Sequence, residues 1–433
     1  MGADEWSLRI ERCVPERALR SMTDFVNSPK LLTPPFTARG RSALMFAALL
    51  VSLAGCSDAD APDDPLSTPG RGDPEEVVSL GELDVEGARA AFEDVGLEGL
   101  DVEHDVEFVR ARYHTLDASG AATMASMLLA RPVGCNPIAV VNYQHGTAFH
   151  REEVPSEASL EDTDDRTVPA AAFAGHCYLF VAPDYLGLGS SPGRHPFLHA
   201  RSEASAVVDS WRAARSIARE RGWSWPEPVF LFGFSQGAHA ALSTLGALPG
   251  ELRARAMAGV SGPYNLSTEQ LPFTLGGQTP VDAAYLGYVV SAYANLYPAP
   301  AAHQFLESPY DVTLDSLFDG SKHIQEIIPE VPPSAQELLT PTFARQLMAR
   351  EPNWFLSAMT ENDVDGVVPA IPVRLYYSSS DSIVSPSQSP AAAQRMQAAG
   401  SDAQAIDLGE IDHLSTRFAA LPAVRAWFDA MLD

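Results

Sequence analysis

An apolar run, Val229 to Phe234, ends on Gly233-Phe234-Ser235-Gln236-Gly237, and a helix of small residues is expected from Gln236 to Ala247. A serine between two glycines, directly after a strand and directly before a helix, fits a sharp turn above an open sheet. Glycine on either side lets the strand and helix approach without Cβ clashes. The turn lifts the hydroxyl above the sheet and leaves it at a helix N-terminus, where negative charge is favoured. The bland alternative is a purely structural turn, because five loosely specified positions recur by chance.

Similar apolar runs continue the pattern. Ile138 to Tyr143 closes on Gln144-His145-Gly146, and Tyr178 to Asp184 closes on a glycine-rich turn. Glu203 to Arg221 has helical spacing at Ala206, Val207, Ser210, Trp211, Ala214 and Ile217. Further strands are expected at Arg255 to Val260, Val373 to Tyr377 and Ala403 to Leu408, with helices at Ala391 to Ala399 and Ala423 to Leu432. Strands alternating with helices imply a mostly parallel, doubly wound sheet. Val102 to Thr115 and Thr123 to Ala130 have no helix between them, so an antiparallel hairpin at one edge is expected. The rhythm stops between about 262 and 369, which reads as a largely helical cap insertion. Spacing argues the same way. Ser235 to Asp381 is far longer than the ~60–80 residues that two strand–helix units need.

A serine hydroxyl is a weak nucleophile until a base takes its proton. On a sheet of this kind the partners follow in the order Ser, acid, His. His413 is the one histidine after residue 323, and it falls on a loop between the last expected strand and the last helix. Asp381 lies a few residues past the strand ending at Tyr377, where a buried carboxylate can hold the imidazole tautomer. Asp363, Asp365, Asp407 and Asp412 compete for that role but are less well placed. The oxyanion needs two donors. Gln236 N–H, next to the nucleophile, and Thr147 N–H, in the loop after the Ile138 strand, are the candidates. His145 is read as fixing that loop, Asp184 as structural, and His239 as packing.

Tyr143-Gln144-His145-Gly146-Thr147, the segment 182–189 (APDYLGLG) and the segment 233–242 (GFSQGAHAAL), with Ser235, Asp381 and His413, resemble one branch of the α/β-hydrolases. That branch comprises the secretory lipases of the lipase A type and related bacterial esterases near the prolyl-oligopeptidase-like group. The resemblance spans roughly residues 100–433. It implies an α/β-hydrolase fold with a helical lid after the sixth core strand. It also implies hydrolysis of carboxylic esters, with a small-molecule or lipid ester as substrate and no cofactor or metal.

Ser42 to Gly55 is an apolar stretch preceded by Arg39 and Arg41, as in a signal peptide. It ends Leu53-Ala54-Gly55-Cys56, which resembles the lipobox of bacterial lipoproteins, whose cysteine is acylated. The expected organisation is a leader over 1–56, an acidic Pro-rich tether over 57–100, and an α/β-hydrolase domain over 101–433. Met22 is an alternative start, since the region before the apolar stretch is long. A lipid anchor at Cys56 would place the protein on the bacterial cell envelope, and an ordinary cleaved signal would release it. Cys135 and Cys177 are then left as a pair suited to a disulfide in an exported protein, or as two buried thiols. The net charge of −27 argues against a nucleic-acid partner. Two other activities compete: a secreted serine peptidase of the prolyl-oligopeptidase-like group, and a non-catalytic surface binding module on the same fold.

Overall fold

The computed structural model describes residues 70–160 and 166–432. The leader, Cys56 and residues 57–69 lie outside the described residues. Nine strands are found among the described residues: β1 (Pro74–Leu83), β2 (Val106–Leu116), β3 (Ala122–Pro132), β4 (Ala139–Gln144), β5 (Tyr178–Pro183), β6 (Val229–Phe234), β7 (Ala254–Val260), β8 (Val373–Tyr377) and β9 (Ala403–Asp407). They form one sheet in the order β1-β2-β3-β5-β4-β6-β7-β8-β9. From β5 across to β9 every pairing is parallel, while β1, β2, β3 and β5 pair antiparallel. β4 and β5 are buried at every position, as strands covered on both faces must be.

Helices flank the sheet: α1 (Val85–Asp94), α2 (Thr167–Ala174), α3 (Ala200–Glu220) and α4 (Gln236–Ala247). Alternate residues of β6 serve the two faces. Phe230 and Phe232 join Phe173 of α2 in one apolar cluster; Val229 and Leu231 join Trp211 of α3 and Leu242 of α4 in another. The chain leaves β4 for β5 on one side, then returns past β4 to β6 on the other. The loops after β4 and β6 therefore part at the carboxyl edge of the sheet, which is where open α/β sheets form a crevice for ligands.

Between β7 and β8 the chain forms α5 (Leu271–Gly276), α6 (Pro280–Leu296), α7 (Tyr310–Leu317), α8 (Ile324–Ile327), α9 (Pro341–Met348) and α10 (Trp354–Glu361). The longest, α6, starts at a capping box: Thr279 accepts from Asp282 N while the Asp282 carboxylate accepts from Thr279 N. These helices bury their own core, including Leu286, Val290, Phe305, Leu314 and Phe355, against Phe149 and Phe197 from the core loops. The sheet then resumes, followed by α11 (Gln388–Ala398) and α12 (His413–Asp429). No helix among the described residues is long and apolar enough to cross a membrane.

Two expectations need correcting. The tether expected over 57–100 holds folded structure from Gly70 on. β1 pairs with β2 over Pro74 to Leu83, and Arg71 makes a buried ion pair with Asp209 of α3 at 2.7 Å. The β2–β3 hairpin is antiparallel, but β1 lies outside it, so the hairpin is not the edge.

Candidate active site

β6 delivers Ser235 into the crevice with φ of 53° and ψ of −120°, a conformation that costs an L-residue energy and persists only where the surroundings impose it. The surroundings here are crowded. A Cβ on Gly233 would stand 2.1 Å from Gly237 O, and one on Gly237 would stand 1.9 Å from Gln144 O. Glycine is required at both positions. The same closeness sets the loop after β4, with His145, Gly146 and Thr147, against the first turn of α4.

Three side chains from three strand ends meet at this turn. His413 Nε2 lies 2.9 Å from Ser235 Oγ, and His413 Nδ1 lies 2.7 Å from Asp381 Oδ2. Asp381 Oδ1 accepts from the N–H groups of Ile383 and Val384, each at 2.9 Å, so the carboxylate cannot swing. All three residues are buried. His413 is not on a loop, as expected from sequence, but is the first residue of α12, whose N-cap is Asp412 accepting from Ser415 N. The competing carboxylates are engaged elsewhere. Asp363 accepts from Leu266 N and Ser267 N, Asp365 pairs with Arg395, and Asp407 accepts from Gly409 N.

The loops around the serine are fixed by buried polar groups. His145 Nδ1 is 2.7 Å from Gly146 O, and burial pushes its pKa down to about 4, which keeps the ring neutral. Asp184 accepts from Ser126 Oγ and Ser156 N, and burial pushes its carboxyl up to about 6. Cys135 and Cys177, just before β4 and β5, are joined as a disulfide with Cα atoms 6.3 Å apart. They are also the sulfur members of the one grouping of metal-ligating side chains among the described residues, with His104. A bonded pair of sulfurs does not supply thiolate ligands.

Glu203 of α3, which the sequence did not single out, is buried behind the serine. Its Oε1 accepts from the Gln236 side-chain amide at 2.9 Å, and its Oε2 lies 2.6 Å from His239 Nδ1. His239 Nε2 is 2.8 Å from Asn362 O, at the end of α10. Both ring nitrogens of His239 therefore face acceptors, which requires an imidazolium. His239 is thus not simple packing but half of a buried ion pair. The Gln236 amide also donates to His195 Nε2 at 2.8 Å, and His195 Nδ1 in turn faces Leu186 O. A sequence signal existed: Glu203 lies on the stripe formed by Val207, Ser210, Ala214 and Ile217, the apolar face of α3.

Two cavities open on Ser235. One, of about 50 Å³, is lined by Gln236 and Thr147 together with mostly apolar side chains such as Leu271, Leu286, Val289 and Met359. The other, of about 710 Å³, is lined by His413 and several charged side chains, and shares Thr147 and Tyr285 with the first. Of the aromatics in the insertion, Tyr285 lines both. Tyr288 and Tyr293 instead pack on core loops, donating to Ala148 O and Leu198 O, and Trp354 and Phe355 pack with Phe305 and Phe343.

Known proteins share this architecture. The family model for secretory lipases matches residues 155–249, which include the Asp184 loop and the Ser235 turn. A protein of Legionella pneumophila named as a hydrolase superposes with a TM-score of 0.77 at 24% identity, over 83% of this chain and 98% of its own. LipA of Xanthomonas oryzae, described as a rice cell wall degrading esterase, superposes at 0.76 with 26% identity, over 84% of this chain and 100% of its own. Candida antarctica lipase A in its closed state gives 0.63 with 16% identity, over 86% of each chain. No curated protein sequence matches this one. Strand order, serine turn and these likenesses agree: the chain is an α/β-hydrolase that resembles the secretory lipases.

Proposed function

We propose that this protein is a serine hydrolase of carboxylic esters, with Ser235 as nucleophile, His413 as base and Asp381 as the group that orients the base. The observation that carries the reading is the unbroken hydrogen-bonded line from Ser235 Oγ through His413 to Asp381. The likeness to lipases and esterases supports ester hydrolysis in general terms.

The geometry suits a two-step acyl transfer. Ser235 Oγ attacks the ester carbonyl carbon while His413 Nε2 takes its proton. The carbonyl electron pair moves onto oxygen, where Gln236 N–H and Thr147 N–H are the proposed donors. As the pair returns, the bond from carbon to the alcohol oxygen breaks and that oxygen takes the proton from His413. Water then attacks the acyl-serine by the same route in reverse, releasing the acid and restoring Ser235. Asp381 keeps Nδ1 protonated throughout and stabilises the imidazolium. No step calls for a cofactor.

A fluorophosphonate probe tests the assignment. Labelling should occur once per chain and map by peptide mass to Ser235. Labelling elsewhere, or none, would overturn it. We further propose export, with Cys56 acylated and the protein held on the cell envelope. The family likeness and the Cys135–Cys177 disulfide, which suits an oxidising compartment, support export. Intact-mass measurement of the N-terminus decides between a lipidated Cys56 and an unmodified terminus.

A further inference from the structure

Resting on the ester-hydrolase reading above, we propose that the substrates are short-acyl esters, acetyl to butyryl, of bulky polyhydroxylated alcohols. The argument begins with the proton. In ester cleavage the base must hand its proton to the departing alcohol oxygen, so the alcohol leaves on the side of the base. His413 lines the larger cavity and is missing from the wall of the smaller, whereas Gln236 lines the smaller. The alcohol therefore occupies the larger cavity and the acyl group the smaller.

Their sizes and walls then set the two halves of the substrate. An engineered apolar cavity of about 150 Å³ takes a benzene, so the 50 Å³ acyl cavity takes a group of only a few non-hydrogen atoms. Its lining is mostly buried and apolar: Phe197 comes from a core loop, and Leu286 and Val289 from α6 of the insertion. An octanoyl chain would have to displace buried side chains, and overfilling a packed site is costly. The alcohol cavity, at about 710 Å³, is of the size that takes a drug-sized ligand. Glu152, Glu153, Arg166 and Arg417 line it, with His323 at its insertion side. Two carboxylates face two guanidiniums and the His323 imidazole that pairs with Glu153, so charged groups of both signs line the cavity. An alkyl alcohol would strip water from these groups and return no hydrogen bonds. A neutral polyol returns them, since each hydroxyl both donates and accepts. Glu153 is held for this by His323 across the cavity rim, at 2.7 Å.

Two matched substrate series on the full chain test the proposal. The first is p-nitrophenyl acetate, butyrate and octanoate, which varies the acyl group alone. The second compares octyl acetate with methyl tetra-O-acetyl-glucoside by acetate release, which varies the alcohol alone. In each series the expected preference, for acetate or butyrate and for the sugar ester, is about tenfold or more in kcat/KM. In the variant Met359→Ala the acyl cavity widens, and the octanoate-to-acetate ratio should rise. Fastest turnover of octanoate, or of octyl acetate, by a wild-type enzyme whose Ser235 takes the fluorophosphonate overturns this inference and leaves the ester-hydrolase reading standing. No turnover of any ester, with Ser235 unlabelled, overturns both.

Discussion

Glu203 and His239 form an ion pair that solvent does not reach, 2.6 Å from Oε2 to Nδ1, behind the turn that carries Ser235. The other Glu203 oxygen holds the side chain of Gln236, the residue whose N–H is proposed to meet the oxyanion. The pair thereby fixes the side chain of that residue. Glu203→Gln should lower kcat by roughly 10- to 100-fold through a small displacement of that donor, with little change in KM. Breaking a buried pair should also lower unfolding stability by about 3 kcal/mol. A variant with unchanged kcat and reduced melting temperature would reduce the pair to a structural role.

The same pair predicts a pH dependence of stability. Burial by itself works against a charged His239, but the Glu203 carboxylate more than offsets it, and the imidazole pKa is raised above its ordinary 6.5. The folded state thus binds the proton more tightly than the unfolded chain does. Its stabilising effect is complete below 6.5 and is lost as pH rises through the folded value. The wild-type melting temperature should fall over that interval, and His239→Gln should remove this part of the slope. Parallel melting curves for the two proteins across that range would contradict the account.

The disulfide lies before β4 and β5, at the edge of the sheet opposite the one that carries Ser235. Cys135 and Cys177 close a loop with a sequence separation of 42 residues. In the chain-entropy account its removal costs about 4 kcal/mol. Cys135→Ser with Cys177→Ser should therefore lower the midpoint of denaturant unfolding while leaving kcat within about twofold. A large loss of kcat in a folded double variant would mean that the disulfide reaches the site.

The insertion's aromatics divide into two kinds. Tyr288→Phe removes only the bond to Ala148 O and should cost about 1 kcal/mol without altering acyl preference. Tyr285→Ala opens both cavities beside Ser235 and should change the ester profile. Calorimetry and the p-nitrophenyl series separate the two effects. A changed profile in Tyr288→Phe would show that the packing aromatics also shape the pocket.

The turn at Ser235 was legible because local signals agree there: an apolar strand, two glycines and a small-residue helix. Asp381 was legible from its place just beyond β8. What was missed depends on partners distant in sequence. β1 carries exposed glutamates and is only partly buried, as suits an edge strand, so nothing in its own pattern distinguishes it from a tether until β2 lies alongside. Glu203 looks solvated until His239 and Gln236 are brought to it. The start of α12 was hidden by Pro422, which lies inside the helix and reads as a break, so His413 was expected on a loop.

The central claim is that Ser235 is the nucleophile, and the turnover of p-nitrophenyl acetate by Ser235→Ala tests it most directly. The account predicts a fall in kcat of about a thousandfold or more, in a protein whose melting temperature shows it to be folded. A folded Ser235→Ala variant that turns the ester over at near the wild-type rate would contradict it.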